Sequence, residues 1–418
     1  MILAFEMTWP GPAHAPVNSS MIQTIALAYP DQPIRVFADP THITELRRDP
    51  ALTEHAQVEF VPIDIYRKLF GKTHIVSFGR LRLEFATLRR GLAGVPRDEP
   101  CLVFLLSATS TAIVAASLLA RLRRGRIGVQ VTLHGNLNDL TGWRSRNPLA
   151  RAFDLNAAMT ARHPPAFRFL VLEPAIKDAL AELVPQAVAR TDALPHPINV
   201  SEIPPGQDHE LRPPLRIGLV GQGTRAKGID LFLDLARDFR ARYGDAVAFD
   251  LVGRVPHGSD LAAFAPLAHE VTSDAVSRAD FVERLAGLHY VFLALQEDYY
   301  RLSASGALID ALTRLKPVVA SRLPIVERLF EEFGEIGYLC DDKAGFRAAL
   351  ESILGTMDAA RYRRQQDALR QARAGRTPER LAVAYRAIMQ RQFGGLLEAK
   401  PLGPPVPQGS RPVAAGPA

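Results

Sequence analysis

Short apolar runs alternate with stretches of helical periodicity along almost the whole chain, and this alternation constrains the fold more than any other feature. In the first half, the runs typical of buried strands are residues 2–5, 34–38, 58–62, 102–106, 128–132 and 167–172. Helical stretches such as 17–28 and 78–90 lie between them. Because parallel strands need crossover connections that are usually helices, the pattern predicts an α/β domain built on a parallel sheet.

A polar, proline-rich segment, 200–214 (VSEIPPGQDHELRPP), interrupts the alternation. Strand-like runs then restart at 215–220, 248–252, 290–294 and 318–320, separated by helical stretches such as 229–242, 307–314 and 344–354. A chain of 418 residues is long enough for two cores, so we predict two doubly wound, Rossmann-like domains. The predicted parts are an N-terminal domain (1–200), a linker (201–214), a C-terminal domain (215–375), a helix (376–397) that packs back on the N-terminal domain and a disordered proline-rich tail (398–418).

The sequence also bears on compartment and cofactors. Residues 103–120 approach the length of a membrane span, but a break, SATST, predicts a strand followed by an amphipathic helix. The first residues, MILAFEMTWPGP, are typical of a buried strand rather than of a signal peptide. Cys101 and Cys340 lack metal-ligand or redox spacing. We therefore expect a cytoplasmic protein without a disulfide scaffold, a structural metal or a tightly bound cofactor.

The balance of charge predicts an anionic partner. The formal net charge is +6, which suits a nucleotide diphosphate, a lipid phosphate or an anionic membrane surface. No nucleic-acid-binding signature is present, so nucleic acid is not expected. Basic residues mixed with aromatic ones between 66 and 90 suggest peripheral contact with the inner face of the cell membrane, and the alternative is a solvated helix face. These basic residues are Arg67, Lys68, Lys72, Arg80, Arg82, Arg89 and Arg90.

The strongest local signal is the segment LRIGLVGQGTRAKGIDLFLDLAR, in which a buried strand runs through glycines and two cations into a helix. Gly221 and Gly223 allow close backbone approach, while Arg225 and Lys227 add positive charge. The helix N-terminus adds unpaired amide donors, so the segment suits a diphosphate. An ordinary tight strand-to-helix turn is the alternative, because the glycine spacing matches neither the dinucleotide fingerprint nor a Walker loop.

Two further strand ends of the second half belong to the predicted donor site. Arg254 follows the strand AFDLVG, and ligands of open parallel sheets bind at this edge. In the loop before the helix near 306, Ser303 and Ser305 are candidate caps, and the amides at Gly306 could bind a phosphate oxygen. Helix capping without a ligand is the alternative.

Histidines mark the corresponding edge of the first half. His134 directly follows the strand VTL and is followed by Asn136, and His14 lies in the loop GPAHAPVN after the first strand. If the two sheets point their carboxyl edges at each other, these residues face the cleft. A histidine there could bind a sugar hydroxyl or act as a base, and a structural role is the alternative.

On these residues the chain resembles the glycosyltransferases of the GT-B fold, particularly the retaining family called glycosyltransferase group 1. The resemblance implies an α/β fold of two facing Rossmann-like domains with a cleft between them. The resemblance is clearest over residues 215–354. Gly221 and Lys227-Gly228 match the family's glycine-rich strand end with its Lys-Gly, and the resemblance implies that Lys227 binds the donor diphosphate. Gln222 stands where an arginine often follows the first glycine, and Arg225 could reach the same anion.

The resemblance also covers the family's Glu-x7-Glu motif, in altered form. Aligning backwards from the strand that starts with Lys316 and Pro317 places Asp310 at the second glutamate, which implies a ribose-binding role, and Leu302 at the first. Glu297 and Asp298 are candidate substitutes for the missing carboxylate. His134 resembles the histidine that neighbours the donor sugar, and His196 lies at the usual approach to the second domain.

The resemblance implies transfer of a hexose from a nucleotide diphosphate sugar, with retention, to a saccharide or lipid-linked saccharide in surface polysaccharide or glycoconjugate synthesis. The candidate catalytic residues are His134, Arg225 and Lys227; the donor-binding ones are Gly221, Gly223, Arg254, Ser305, Gly306 and Asp310; His14 and Asn136 are acceptor-side candidates. A metal is not expected. The alternatives are a nucleotide-sugar epimerase of the same fold and a non-catalytic sugar-nucleotide-binding component of a synthesis complex.

Overall fold

The computed structural model describes residues 1–69, 72–123, 125–142, 145–204 and 210–397. Its described strands are β1 to β12, at Ile2–Glu6, Ile34–Ala38, Val58–Pro62, Cys101–Ser107, Ile127–Leu133, Phe167–Leu172, Thr191–Leu194, Leu215–Gln222, Val247–Arg254, Tyr290–Leu293, Val318–Ser321 and Gly337–Cys340.

Helices connect most of these strands. They are α1 to α17, at Ala15–Ala28, Pro40–Leu46, Pro50–Thr53, Phe78–Gly91, Ser110–Leu122, Pro148–Arg151, Leu155–Thr160, Pro174–Leu183, Pro185–Val188, Ile229–Tyr243, Arg278–Ala286, Glu297–Tyr300, Gly306–Thr313, Pro324–Phe333, Lys343–Thr356, Ala359–Ala374 and Pro378–Leu397.

The strands form two parallel sheets. The first has seven strands in the order β3-β2-β1-β4-β5-β6-β7, and the second has five in the order β12-β11-β10-β8-β9. All seven residues of β4 and of β5 are buried, as expected for strands covered by helices on both faces. The predicted α/β class with two facing doubly wound sheets is therefore confirmed.

Two strands escaped the sequence prediction. β7 and β12 each have only four residues and lie at one edge of their sheets. The sequence of β7, TDAL, carries two polar residues, so no apolar run marks it. A strand of four residues at the edge of a sheet is too short and too partly buried to show the apolar run by which we predicted the other strands.

The last helix, α17, packs against the first domain. Leu381, Tyr385, Met389 and Phe393 belong to the apolar cluster that also contains Ile2 of β1. The Tyr385 hydroxyl donates a hydrogen bond of 2.7 Å to the Gln130 side chain on β5. The chain therefore crosses between the domains twice. The predicted tail, 398–418, and part of the predicted linker, 205–209, lie outside the described residues.

A buried ion pair joins the two crossings. Glu173 before α8 and Arg376 after α16 pair side chain to side chain, and both are about 95% buried. Glu173 also accepts a hydrogen bond of 2.9 Å from the backbone amide of His196, while the Ile198 amide donates to the carbonyl of Arg376. Although burial raises the pKa of the Glu173 carboxyl, Arg376 beside it holds that pKa below its ordinary value. The pair therefore fixes the segment that carries His196.

In the described part of the chain, no helix is both long and apolar enough to cross a membrane. Residues 103–120 belong to β4 and α5, and the break between them is the predicted one: Thr109 caps α5 by accepting a hydrogen bond from the Ala112 amide.

The basic stretch 66–90 is not the continuous surface that the sequence suggested. Arg80 on α4 is buried, and its guanidinium donates hydrogen bonds to the carbonyls of Leu69, Lys72 and Ile75. Because a guanidinium has five N–H donors, one arginine can hold together the backbone segment that carries these three carbonyls. Arg80 is therefore a structural residue, and its assignment to a membrane face is wrong.

Candidate active site between the two sheets

A cavity of about 300 Å³ lies between the carboxyl edges of the two sheets. We call its two sides the N-terminal wall and the C-terminal wall, and Glu202 of the crossing segment lies between them. The N-terminal wall consists of His14, Pro16, Val17, His134, Gly135, His196, Pro197 and Asn199. The C-terminal wall consists of Arg278, Ser303, Ala304, Gly306, Ile309, Asp310 and Thr313. The structure thus brings His14 and His134 to the same cavity as Gly306 and Asp310.

His14 and His134 contact each other on the N-terminal wall. Their Nδ1 atoms are 3.2 Å apart, so one ring donates a hydrogen bond to the other. The Trp9 ring stacks on His14 with a centroid distance of 4.4 Å. Burial, followed by the other histidine of the pair, lowers the pKa of His14 to about 3, and burial lowers the pKa of His134 to about 3. Both rings are therefore neutral at pH 7.

The loop that carries His14 is held by Glu6, a residue that sequence reasoning missed. The Glu6 carboxylate is fully buried at the end of β1 and accepts hydrogen bonds from the amides of Thr8 and Trp9, at 2.7 and 3.0 Å. The Ser107 hydroxyl and the Asn18 amide also donate to it. These bonds compensate for burying the charge. A glutamate that ends an apolar strand was the available signal.

Asn136, a predicted acceptor-side residue, does not line the cavity. It is buried, and its side-chain amide donates to the carbonyl of Ala108 in the loop before α5. Its carbonyl oxygen is buried without a partner. Asn136 thus lies behind the N-terminal wall, against the neighbouring loop.

Lys227 lies beside the end of β8, as the glycine-rich segment suggested. Its ammonium group donates a hydrogen bond of 2.8 Å to the Val220 carbonyl. Gly221 has a φ of 93°, and a Cβ there would come within 2.3 Å of that nitrogen, so glycine leaves the space that the ammonium group occupies. Burial lowers the pKa of Lys227, and Asp310 opposes this shift.

The other cations of this edge are more exposed. Arg225 begins a short 3₁₀ helix, and its guanidinium lies 3.4 Å from Asp230 with a side chain that is 87% exposed. Arg254 is exposed at the end of β9, in register with Gln222. A Cβ at Gly223 would contact Leu251 and Ile229, so this glycine serves local packing as well. These residues surround the strand ends but do not line the cavity.

Helix α13 points its N-terminus at the cavity. Ser305 is its N-cap, with its hydroxyl accepting from the Leu308 amide at 3.4 Å. Gly306 is exposed, and a Cβ there would meet no atom within 4 Å. Gly306 also lines the cavity, so the start of this helix borders it, and the helix dipole there favours an anion.

Asp310 lies one turn further along α13 and contacts a residue that the sequence did not indicate. The Arg278 guanidinium is 3.7 Å from the Asp310 carboxylate and also pairs with Glu202. Burial raises the pKa of Asp310 to about 6, and Arg278 acts against this shift. Arg278 and Glu202 come from distant parts of the chain, so no local motif marks them.

The position of the family's first glutamate is apolar in structure as well as in sequence. Leu302 is 2% exposed and packs into the core of the first domain. Glu297 and Asp298 are exposed on α12 and are not among the residues that line the cavity. The suggested carboxylate substitutes are therefore not at the site. In the described ranges, no group of three or more metal-ligating side chains is found.

Comparison with solved structures gives the class of fold. A glycosyltransferase from Rickettsia africae superposes with a TM-score of 0.65 at 11% identity, covering 96% of this chain and 99% of its own. Anabaena HepE in complex with UDP-glucose gives 0.60 at 16% identity, covering 94% and 99%.

A trehalose-phosphate synthase from Burkholderia xenovorans in complex with glucose-6-phosphate gives a TM-score of 0.58 at 12% identity, covering 94% of this chain and 99% of its own. Neither a family model nor a curated protein matches the sequence. The chain has the GT-B glycosyltransferase fold, with its cavity at the place where the two domains face each other.

Proposed function

We propose that the protein is a glycosyltransferase that moves a hexose from a nucleotide diphosphate sugar to a saccharide acceptor. The observation that carries this proposal is the pairing, across one cavity, of an open helix N-terminus on α13 with two neutral histidines on the opposite wall. A diphosphate needs donors and positive charge, whereas a sugar needs neutral hydrogen-bonding groups. The fold relative HepE was solved with UDP-glucose, which supports a sugar-nucleotide donor.

In this proposal the C-terminal domain binds the donor. Lys227, Arg225 and the amides at Gly306 bind the diphosphate, and Gly221 and Gly223 permit its close approach. Asp310 and Ser305 lie on or beside the same helix, and we assign Asp310 to the ribose hydroxyls. Arg254, at the end of the neighbouring strand, completes the donor site.

In this proposal Lys227 gains a partner when the donor binds, because an ammonium group has three N–H donors and the Val220 carbonyl accepts from only one of them. In the structure its ammonium group donates to the Val220 carbonyl. A diphosphate beside it would favour the charged form and oppose the effect of burial on its pKa. The same charge would stabilise the leaving diphosphate as the glycosidic bond breaks. Preorganised charges of this kind contribute about 3 kcal/mol to transition-state stabilisation.

The N-terminal domain binds the acceptor, with His14 and His134 at the cavity and Asn136 behind them. Domain closure would expel water that would otherwise hydrolyse the donor. We propose a saccharide or a lipid-linked saccharide of surface polysaccharide or glycoconjugate synthesis as the acceptor, and turnover that needs no metal.

An exposed surface of the N-terminal domain supports peripheral contact with an anionic membrane at the cytoplasmic face. Phe78 at the start of α4 and Leu149 on α6 are each 64% exposed, and the Phe78 ring contacts that of Phe153. Two exposed arginines lie on the same helices: Arg82 follows Phe78 by one turn on α4, and Arg151 follows Leu149 on α6. Apolar side chains among arginines suit an anionic headgroup layer.

A second function is favoured by Leu302. Because an apolar residue occupies the position of the first glutamate, the protein could bind a sugar nucleotide within a synthesis complex without consuming it. Donor binding without turnover distinguishes this function from transfer, and an altered sugar nucleotide released without an acceptor would indicate an epimerase.

Calorimetric titration with uridine, guanosine, adenosine and thymidine diphosphates and their sugars tests the donor assignment. We expect one nucleotide to bind selectively and Lys227→Ala to weaken its binding about 100-fold, which corresponds to about 3 kcal/mol. Lys343→Ala is the matched control, because Lys343 forms an exposed pair with Asp234. If no nucleotide binds at millimolar concentration, or if both variants bind like the wild type, the proposed donor site is refuted.

A further inference from the structure

A second cavity on the N-terminal domain bears on the size of the acceptor. We propose that this cavity binds sugar units of the acceptor beyond the one that is glycosylated, so that the acceptor is an oligosaccharide rather than a single sugar. The inference rests on the proposed glycosyltransferase function, and it concerns a site apart from the cavity between the two sheets.

The second cavity has a volume of about 300 Å³ and lies at the carboxyl edge of the first sheet. Its lining includes Ile75 in the loop before α4, Ser110 at the start of α5 and Asp139 in the loop after β5. At the same edge of this sheet, His134 lines the first cavity. The two cavities therefore lie on the same side of the N-terminal domain.

One short loop borders both cavities. His134 and Gly135, directly after β5, line the first cavity, and Asp139 on the same loop lines the second. The five residues from His134 to Asp139 span at most about 18 Å when fully extended, and a 3₁₀ turn within the loop shortens this distance. Asn136, which lies between them, donates a hydrogen bond to the Ala108 carbonyl and fixes the loop against the segment before α5. A ligand that extends a short distance along this loop therefore reaches the second cavity.

Ser110 carries the hydroxyl group that the start of α5 leaves without a partner. The neighbouring Thr109 hydroxyl donates a hydrogen bond of 2.6 Å to the buried Glu84 carboxylate and lies 2.9 Å from the Thr111 hydroxyl. Ser110 is 5% exposed and lines the cavity, and in the part of the chain that the structure describes its side chain forms no hydrogen bond. Because burying an unpaired hydroxyl is unfavourable, a ligand hydroxyl that pairs with Ser110 gains free energy on binding.

Asp139 supplies a hydrogen-bond acceptor to the same cavity. The Thr73 hydroxyl donates a hydrogen bond of 2.9 Å to its Oδ2 atom, and no donor among the described residues bonds to its Oδ1 atom. Burial raises the pKa of the Asp139 carboxyl, and Thr73 and then His74 act against this shift. A partly buried carboxylate with few donors is stabilised by each hydroxyl group that donates to it.

The rest of the lining also suits a saccharide. A sugar ring presents hydroxyl groups at its edge and apolar C–H groups on its faces, and Ile75, Val76 and Leu155 add an apolar surface beside Ser110 and Asp139. Among the described residues that line this cavity, none is a lysine or an arginine, so it offers no cation to a phosphate. The second cavity therefore fits a sugar unit rather than a nucleotide.

Binding of free oligosaccharides to the full chain tests this inference, because such binding needs no donor. Maltotriose, cellotriose and tri-N-acetylchitotriose are titrated and followed by saturation-transfer NMR, with glucose and N-acetylglucosamine as single-sugar references. We expect at least one trisaccharide to bind on the order of 10-fold more tightly than its monosaccharide, because it occupies both cavities. If no trisaccharide binds more tightly than its monosaccharide, the inference is overturned.

Ser110→Ala tests the second cavity itself. The substitution removes a hydroxyl that forms no bond in the fold, so we expect an unchanged denaturation midpoint and a loss of about 3- to 10-fold in trisaccharide affinity. Ser352→Ala, exposed on α15 of the other domain, is the matched control. Asp139→Asn keeps an acceptor for Thr73 but removes the charge, and should weaken trisaccharide binding about 10-fold. If both cavity variants bind the trisaccharide like the control, the second cavity is not its site.

The same measurements separate this inference from the proposed function. A protein that binds a nucleotide diphosphate through Lys227 but binds trisaccharides no better than monosaccharides refutes the second cavity and leaves the donor site intact. A protein that binds trisaccharides through Ser110 but binds no nucleotide diphosphate supports the second cavity as a saccharide site and refutes the glycosyltransferase function.

Discussion

The two walls of the cavity differ in the charge of the side chains that line them. The C-terminal wall carries the charged residues Arg278 and Asp310, and Lys227 interacts electrostatically with Asp310. The N-terminal wall is neutral at pH 7, because burial suppresses the charges of His14 and His134. The proposed donor side of the cavity thus carries charged side chains, whereas the proposed acceptor side is lined by uncharged imidazoles.

We expect the largest loss of stability when the buried ion pair between Glu173 and Arg376 is broken, because this pair holds the segment that carries His196. Glu173→Gln leaves Arg376 buried without its counter-ion, so we expect the free energy of unfolding to fall by about 3–5 kcal/mol, as measured by denaturant titration. Arg301→Gln is the control, since its pair with Glu182 joins the same domains at the surface and is worth at most about 1 kcal/mol. Equal effects of the two substitutions would show that burial does not distinguish these pairs.

Acid should destabilise the protein through the N-terminal wall. On unfolding, His14 and His134 regain an ordinary pKa near 6.5, whereas in the folded state it is about 3. The unfolded state therefore binds more protons below pH 6.5, and stability is lost as pH falls from 6.5 toward 3. Between pH 7 and 5 we expect a loss of up to about 2 kcal/mol per histidine.

Denaturant titrations at pH 7 and 5 measure this loss, and His14→Asn should reduce it. His55→Asn should leave this loss unchanged, because His55 lies just after the short helix α3 and is not part of the His14–His134 pair. An identical pH slope in wild type and His14→Asn would mean that the ring is not held neutral by the fold.

The smallest expected effect per substituted residue concerns the outer surface of the N-terminal domain. Replacing Arg82, Arg89 and Arg90 with glutamine should weaken co-sedimentation with phosphatidylglycerol vesicles by about 1 kcal/mol per arginine. Arg363→Gln with Arg364→Gln on α16 of the other domain is the control, and the two variants are compared per arginine removed. If both sets bind alike, membrane contact is not a property of the N-terminal domain.

The donor side was more accessible to sequence reasoning than the acceptor side. Lys227, Gly221 and Ser305 lie within short segments whose spacing carries their chemistry, and the structure places them at the strand ends and helix start that the sequence predicts. Their roles toward a donor stay proposals. Phosphate recognition by backbone amides depends on the conformation of one short loop, so the residues that produce it lie close together in the sequence and can be recognised there.

The missed residues share the opposite property. Glu6 accepts a hydrogen bond from the Ser107 hydroxyl, 101 residues away, and Glu173 pairs with Arg376 across 203 residues. Arg80 was misassigned for a related reason: a basic residue among other basic residues looks exposed, and its three carbonyl partners are backbone groups that no sequence pattern displays. Charge composition predicts a surface only when burial is known.

Helix α17 has a consequence for biosynthesis. Phe393 lies so close to Gly128 of β5 that a Cβ there would come within 2.7 Å of its ring, so the last described helix completes the core beneath a strand made some 265 residues earlier. Domains usually fold in the order in which they leave the ribosome. Here α1 covers part of this apolar face early, but the part that α17 covers stays exposed until the second domain has been synthesised. We therefore expect the N-terminal domain to reach its full stability only when the last helix has been made.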